Sequence, residues 1–305
     1  MKPGNTPLVE FRELAPSGTR LFAKLEWYNP TGSIKDRPAW RMFHEAVDEG
    51  KLLPGMPLIE ATSGNTGIGL ARIALINQHP MTICLPAAAS KERKQLLRAY
   101  GADLIEVDGG PNDAIAYARH LVDEGHGHMC YQYGNPANPA SHEFGTSLEI
   151  QRDWPLEAPP DHLFCAYGTG GTITGNSRAM KRFHPNIGVH SVEEFKDDPI
   201  GGMRSQEDPF QPPVADLSLV DRRHQVHKKT AEDMVLITMN TEGHFVGTSS
   251  GAVIHAAVEY LETHGGTAVM LLPDAGWKYL SGNPWADATQ PAEARRPVPA
   301  LATTI

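Results

Sequence analysis

The sequence predicts an α/β protein whose parallel sheet is covered by helices on both faces, from three observations. Short apolar runs alternate with longer amphipathic ones along most of the chain. Loops rich in Gly, Ser and Thr stand where a run of one kind gives way to the other. The 305 residues suffice for one large domain or two modest ones, with a core that needs no disulfide or metal.

Taken in order, Arg20–Glu26 (RLFAKLE) is compact and apolar enough for a strand, and Ser33–Glu49 has helical spacing. The pattern repeats as strand Pro57–Ala61, helix Asn65–Asn77, strand Met81–Leu85, helix Ser90–Tyr100, strand Asp103–Val107 and helix Asn112–Glu124. Further on, strand His162–Ala166 precedes helix Thr172–Phe183, and helix Ser249–His264 precedes strand Ala268–Leu272. Ser90 and Ser249 each stand just ahead of a helical stripe, where a hydroxyl can accept from a free backbone N–H. Glu193–Pro212 is polar and turn-rich, so it is expected to be a long surface loop of the lid type, with Glu193–Asp198 a solvated face. After Asn283, four prolines in 22 residues predict a poorly ordered tail. There is no internal repeat.

Composition narrows the function. With 27 Lys+Arg against 36 Asp+Glu, the net charge of −9 argues against non-specific nucleic-acid binding. Cys84, Cys130 and Cys165 are an odd, widely spaced set in or beside apolar strands, which suits buried thiols in a reducing compartment. No apolar run reaches membrane-spanning length and MKPGNTPLVEF has no signal-peptide layout, so a soluble, cytoplasmic protein is expected. His126 and His128 lie in a polar stretch without a third ligand, so no metal site is expected. The five tryptophans (Trp27, Trp40, Trp154, Trp277 and Trp285) are scattered and are expected to serve packing.

The 29 glycines exceed the background of about 7%. Three clusters fall at helix starts: Thr62-Ser63-Gly64-Asn65-Thr66-Gly67, Gly168-Thr169-Gly170-Gly171-Thr172 and Gly247-Thr248-Ser249-Ser250-Gly251. One Gly-Ser-Thr loop is an ordinary turn. Three, all hydroxyl-rich and all opening helices, point to an anion held on bare backbone N–H groups beyond the carboxyl ends of strands. Nine glycines in or just after these loops are expected to clear that approach. None of the clusters is a G-x4-G-K-[ST] or G-x-G-x-x-G nucleotide loop. Lys35, in Asn29-Pro30-Thr31-Gly32-Ser33-Ile34-Lys35-Asp36-Arg37, stands at a helix start, which disfavours an ammonium and suits a lysine nucleophile or proton carrier.

The Lys35 segment and the three loops, in this order, resemble the cysteine synthase family of fold-type II pyridoxal-phosphate enzymes. Further matches are Pro3-Gly4-Asn5-Thr6-Pro7-Leu8, Gln132–Asn138 (QYGNPAN) with His142, and Pro273-Asp274-Ala275-Gly276 followed by Tyr279-Leu280. Within the family, YQYGNPAN and DAGWKYLS are most similar to the B-type cysteine synthases of actinobacteria, which include O-phosphoserine sulfhydrylases fed by a thiocarboxylated sulfur-carrier protein. The resemblance implies a fold like that of the tryptophan synthase β subunit: two open twisted α/β sheets with the cofactor between domains. It implies an N-terminal domain over residues 1–142, holding a smaller mobile part at about 39–142, a C-terminal domain over 143–282, and a tail at 283–305. A homodimer is implied too.

Position by position, the resemblance implies that Lys35 forms the internal aldimine with pyridoxal 5′-phosphate and that Gly168, Thr169, Gly170, Gly171 and Thr172 cradle its phosphate. Asn65 would bond the 3′-oxygen of the ring and Ser249 would face its nitrogen. Thr62, Ser63, Thr66 and Gln132 would hold the substrate carboxylate. A serine opposite the ring nitrogen leaves that nitrogen largely unprotonated, which suits β-elimination to an α-aminoacrylate, addition of a sulfur nucleophile and ping-pong kinetics. Arg204 stands where an arginine would read a phosphate leaving group, favouring O-phosphoserine over O-acetylserine. His142 is expected to be a structural hydrogen-bonder.

Departures are Ser191-Val192-Glu193-Glu194 where a Glu-Pro pair is usual, Ser281-Gly282-Asn283 where Ser-Thr-Gly is usual, and Ala275 in place of a serine or threonine. They leave the product open between L-cysteine and another β-substituted alanine. The alternatives are elimination or condensation, as in serine dehydratase or cystathionine β-synthase, and a family member that docks a carrier protein's C-terminus in its cleft.

Overall fold

The structure, a computed structural model, describes residues 1–282 except Ser63 and Ser90. The expected tail, the cap at Ser90 and Trp285 therefore lie outside the described residues.

The chain opens with an antiparallel hairpin, β1 (Leu8–Phe11) and β2 (Arg20–Leu25), followed by α1 (Asp36–Asp48). It then builds a separate four-stranded sheet. Strand β3 (Leu58–Ala61) leads to α2 (Asn65–Ile76), β4 (Met81–Pro86) to α3 (Lys91–Ala99), and β5 (Asp103–Val107) to α4 (Pro111–Asp123), with β6 (His128–Met129) last. The strand order is β5-β4-β3-β6 and every pair is parallel. The chain returns through α5 (Ala137–Ser141), a π turn at His142–Thr146 and α6 (Ser147–Asp153). Next come β7 (His162–Ala166), α7 (Gly171–Phe183), β8 (Gly188–Glu194), β9 (Arg222–Val226), α8 (Lys228–Thr241), α9 (Thr248–His264) and β10 (Thr267–Leu272). These strands join the hairpin in a six-stranded sheet ordered β1-β2-β10-β7-β8-β9, parallel except at β1.

Every strand and helix expected from the apolar pattern is present, with ends moved by up to three residues. Strands β2 and β10 are buried almost throughout, as expected of central parallel strands covered on both faces. Val253, Ile254 and Ala257 of α9 cover one face, and Ile173 and Met180 of α7 pack against Leu163, Val189 and Leu271 on the other. The three cysteines are free and buried. Among the described residues no helix is long and apolar enough to cross a membrane.

The pattern missed β1, β6, β8, β9, α8 and the helical run from Ala137 to Asp153. Strand β9 (RRHQV) is an edge strand with one buried residue, Val226, so it carries no apolar alternation. The expected solvated face at Glu193–Asp198 is wrong at its start. Glu193 is wholly buried and Glu194 nearly so on β8, because both carboxylates have partners. Glu193 accepts from Arg223 Nε (2.8 Å) and from the backbone N–H of Gln206 (2.5 Å), and Glu194 accepts from the N–H of Ile200 (2.5 Å). The loop after β8 is thus anchored from beneath, and Ile200 and Ser205 are buried. His128 lies on β6 rather than in a loop. Trp277 is half exposed, so it is not a core residue.

Candidate functional site

Lys35 is fixed by its turn. The Asp36 carboxylate accepts from the N–H (2.7 Å) and the hydroxyl (2.8 Å) of Thr31, and Gly32 has φ +80°, a conformation glycine takes without strain. The N–H of Ile34 donates to the carbonyl of Pro273 (2.8 Å), so the turn is stitched to the chain just beyond the carboxyl end of β10. Behind it Arg37 is buried, forked between Glu26 and Glu149. Lys35 is the last residue before α1 rather than within it. Its pKa falls from 10.5 to about 8, chiefly because burial between the two sheets disfavours the ammonium, with Asp274 acting the other way.

Two adjoining cavities meet at Lys35. One, of about 40 Å³, is lined by Gly168, Thr169, Gly170, Thr172, Ser249 and Asp274 among others. Here β7 ends and α7 begins, and the first N–H groups of a helix have no acceptor within it. Gly170 has φ +79° and Gly171 opens the helix. Asn138 Nδ2 bonds Thr169 Oγ1 (3.0 Å) and the carbonyl of Gln132 (2.8 Å), tying α5 to this loop. Ser249 is the second residue of α9 and is buried at the cavity wall. It makes no cap; Gly247 holds the cap position without a side-chain bond.

The glycine expectation needs correction. A Cβ at Gly67, Gly168, Gly170, Gly171, Gly175, Gly247 or Gly251 would collide with protein atoms. At Gly171 these belong to Asn138, and at Gly175 to the carbonyl of Pro139. Most of the nine are therefore demanded by close packing of the chain on itself, whatever they also do for an anion. Only Gly64 has ordinary room, with the Arg93 guanidinium 3.9 Å away.

The second cavity, of about 200 Å³, is lined by Thr62, Gly64, Asn65, Thr66, Gln132 and Arg204, again with Lys35. The Thr62 hydroxyl accepts from the N–H of Gly64 (3.2 Å), and Thr66 Oγ1 donates to Gln132 Oε1 (2.6 Å). Ser63 lies outside the described residues. Arg204 enters from the anchored loop after β8, with its guanidinium 5.5 Å from the Tyr133 ring and 5.2 Å from the Phe210 ring. Its ion pair with Asp208 is long, 3.5 Å. Glu60 of β3, next to the cavity-lining Ala61, is wholly buried and its pKa rises to about 8 through desolvation. His142 is also buried, bonding Thr146 Oγ1 (2.9 Å) and lying 3.4 Å from Thr172 Oγ1. Burial keeps it neutral, its pKa well below 6.5, as a structural hydrogen-bonder requires.

Apart from Gly171, the described candidates from the sequence all line one or other of these two cavities, which share Lys35 and form one site. Four neighbours were missed. Asp274 and Tyr279 line it, the guanidinium of Arg93 lies over the Tyr279 ring (5.2 Å), and Lys278 Nζ donates to Asn65 Oδ1 (2.8 Å). Three of them lie in or beside the DAGWKYLS stretch, which was the available signal. Chemically, the site offers an amine whose pKa is lowered to about 8, an anion seat at a helix start and a hydroxyl-lined pocket with a guanidinium in its wall.

Residues 1–274 match the family model described as pyridoxal-phosphate dependent enzyme. Cysteine synthase B of Salmonella typhimurium is 38% identical over 282 residues, covering 91% of this chain and 92% of that one. Cysteine synthase of Aquifex aeolicus is 37% identical over 292 residues, covering 91% and 89%. Among solved structures, an O-ureido-L-serine synthase superposes with a TM-score of 0.89 at 32% identity, covering 95% of this chain and 94% of that one. A cysteine synthase from Entamoeba histolytica gives 0.85 at 32% identity, covering 92% and 88%. The chain belongs to the cysteine synthase family of pyridoxal-phosphate dependent enzymes.

Proposed function

We propose that this protein catalyses β-replacement on an activated L-serine with pyridoxal phosphate as cofactor, giving L-cysteine or a related β-substituted alanine. The observation that carries this is the convergence on Lys35 of a helix-start anion seat and a pocket lined by hydroxyls and an amide. The donor set fits the cofactor: α7 offers N–H groups and the hydroxyls of Thr169 and Thr172 to a phosphate, Asn65 an amide to a ring oxygen and Ser249 a hydroxyl to a ring nitrogen. When bound, the cofactor withdraws electrons from Cα of the amino acid, so that the α-proton becomes acidic and a β-substituent can leave.

The chain's own residues do the rest. Lys35 Nζ takes the Cα proton and returns it after the nucleophile has added to Cβ. Thr62, Ser63, Thr66 and Gln132 hold the α-carboxylate, which orients the Cα–H bond. Arg204 faces the leaving group, and its planar fork favours a phosphate dianion, hence O-phosphoserine over O-acetylserine. The carboxylate loop follows β3 of the small sheet, whereas Lys35 and the phosphate seat belong to the large one. Closure of the smaller part, about residues 39–142, over bound amino acid follows from that division. The sulfur donor in this reading is sulfide or the C-terminal thiocarboxylate of a carrier protein, and the working form is a homodimer in a reducing cytoplasm, to which three buried free thiols are suited. The test is amino-acid product formation by the cofactor-loaded protein from sulfide and either O-phospho-L-serine or O-acetyl-L-serine. Absence of cysteine from both esters contradicts the proposal.

A further inference from the structure

We propose that Lys278 is a positioning residue that locks the carboxamide of Asn65 in the one orientation the cofactor can use. The proposal rests on the assignment of Asn65 to the ring oxygen. A carboxamide is nearly symmetric in shape but not in chemistry: turned one way it offers N–H donors, turned the other it offers a carbonyl that repels an oxygen anion. At Asn65 two ions read its two ends. Lys278 Nζ lies 2.8 Å from Oδ1, and an ammonium has no lone pair with which to accept from an NH₂ group. Asp274 Oδ2 lies 2.7 Å from Nδ2, and a carboxylate can only accept. The flipped amide would set ammonium against NH₂ and carboxylate against carbonyl. One N–H of Nδ2 is used by Asp274, leaving the other for a ligand in the cavities that Asn65 lines.

Both ions are themselves held. Tyr279 donates its hydroxyl to Asp274 Oδ2 (2.5 Å), while Asp274 Oδ1 is buried without a partner. The aliphatic stem of Lys278 passes over Gly32, where a Cβ would come within 3.3 Å of Lys278 Cε and closer still to the Trp277 ring. The glycine that shapes the Lys35 turn therefore also leaves the channel through which Lys278 reaches Asn65. Asp36, at the end of the same turn, is a second acid facing the ammonium.

The test is a double-mutant cycle read by cofactor affinity and by the visible absorbance of the bound cofactor, not by turnover. Pyridoxal phosphate is titrated into the apo forms of wild type, Lys278→Met, Asn65→Ala and the double variant, each first checked for a cooperative thermal transition. Lys278→Met is expected to raise the dissociation constant about ten-fold and to shift the absorbance maximum. Lys278→Arg, which keeps charge and donors, is expected to restore most of both. The double variant is expected to bind no worse than Asn65→Ala. If Lys278→Met leaves both readouts unchanged while Asn65→Ala weakens binding, the role of Lys278 is overturned and that of Asn65 stands. If the two losses add, Lys278 does not act through Asn65 and the proposal is overturned. If Asn65→Ala changes nothing, the assignment of Asn65 is overturned and this inference with it. Should Lys278→Met fail to fold, Lys278→Leu, which also has no donor, replaces it under the same criteria.

Discussion

Thr66 donates a 2.6 Å hydrogen bond to Gln132, joining the first turn of α2 to the segment after β6 across the wall of the larger cavity. The bond is buried and spans 66 residues of sequence, so it fixes the distance between two groups assigned to the same carboxylate.

Thr66→Val keeps the shape and removes the donor. Losing one buried hydrogen bond costs about 1–2 kcal/mol, so KM for the amino-acid ester should rise about ten-fold while cofactor affinity stays unchanged. Steady-state kinetics beside a cofactor titration check this. A variant that loses cofactor and substrate affinity together would place Thr66 in the cofactor seat instead.

The leaving group is tested at Arg204. A charge-assisted bond is worth roughly 1.5–3 kcal/mol, so Arg204→Ala should lower kcat/KM for O-phosphoserine by about 10- to 100-fold and that for O-acetylserine far less. If wild type prefers O-acetylserine, or the variant loses nothing on O-phosphoserine, the phosphate assignment is wrong.

Cofactor capture by the apo-protein should depend on pH through Lys35. Only the neutral amine attacks a carbonyl, and the pKa of Lys35 is lowered to about 8. The capture rate at fixed pyridoxal phosphate should therefore rise with pH through a midpoint near 8 and then level off, rather than have its midpoint near 10.5. Stopped-flow absorbance from pH 6.5 to 10 reads the limb directly.

Glu60 predicts an opposite dependence for stability. Its pKa rises from 4.5 unfolded to about 8 folded, so between these values the native state keeps a proton that the unfolded state has lost. Stability therefore falls as pH rises through that window, by on the order of a few kcal/mol from this residue. Glu60→Gln removes the penalty, so the urea midpoint of the variant minus that of wild type should grow from pH 5 to pH 8. Glu194, raised to about 7, adds a slope of the same sign, which cancels in that difference. A pH-independent difference would sink the assignment of Glu60 as a buried neutral acid.

The parts legible in the sequence were those encoded locally. Apolar runs marked the central strands, and Lys35 and the glycine clusters announced themselves by residue type beside helix starts. What stayed hidden depends on long-range pairing. Strand β8 looks polar at its end, yet Glu193 is buried there because it pairs with Arg223, 30 residues on. Asp274 and Lys278 meet Asn65 across 209 and 213 residues, so the DAGWKYLS stretch marked their segment but periodicity did not show which group they hold. The glycines were found for an incomplete reason: an anion seat explains where the clusters stand, but Asn138 and Pro139 explain why Gly171 and Gly175 can bear no side chain.

The central claim is that Lys35 is the lysine bonded to the cofactor. The direct measurement is borohydride reduction of the protein loaded with pyridoxal phosphate, followed by mass mapping of its peptides. The predicted result is one phosphopyridoxyl group, on the peptide containing Lys35 and absent from Lys35→Ala. A label carried by Lys278 or another lysine instead, or no label on a protein that still makes cysteine, would contradict it.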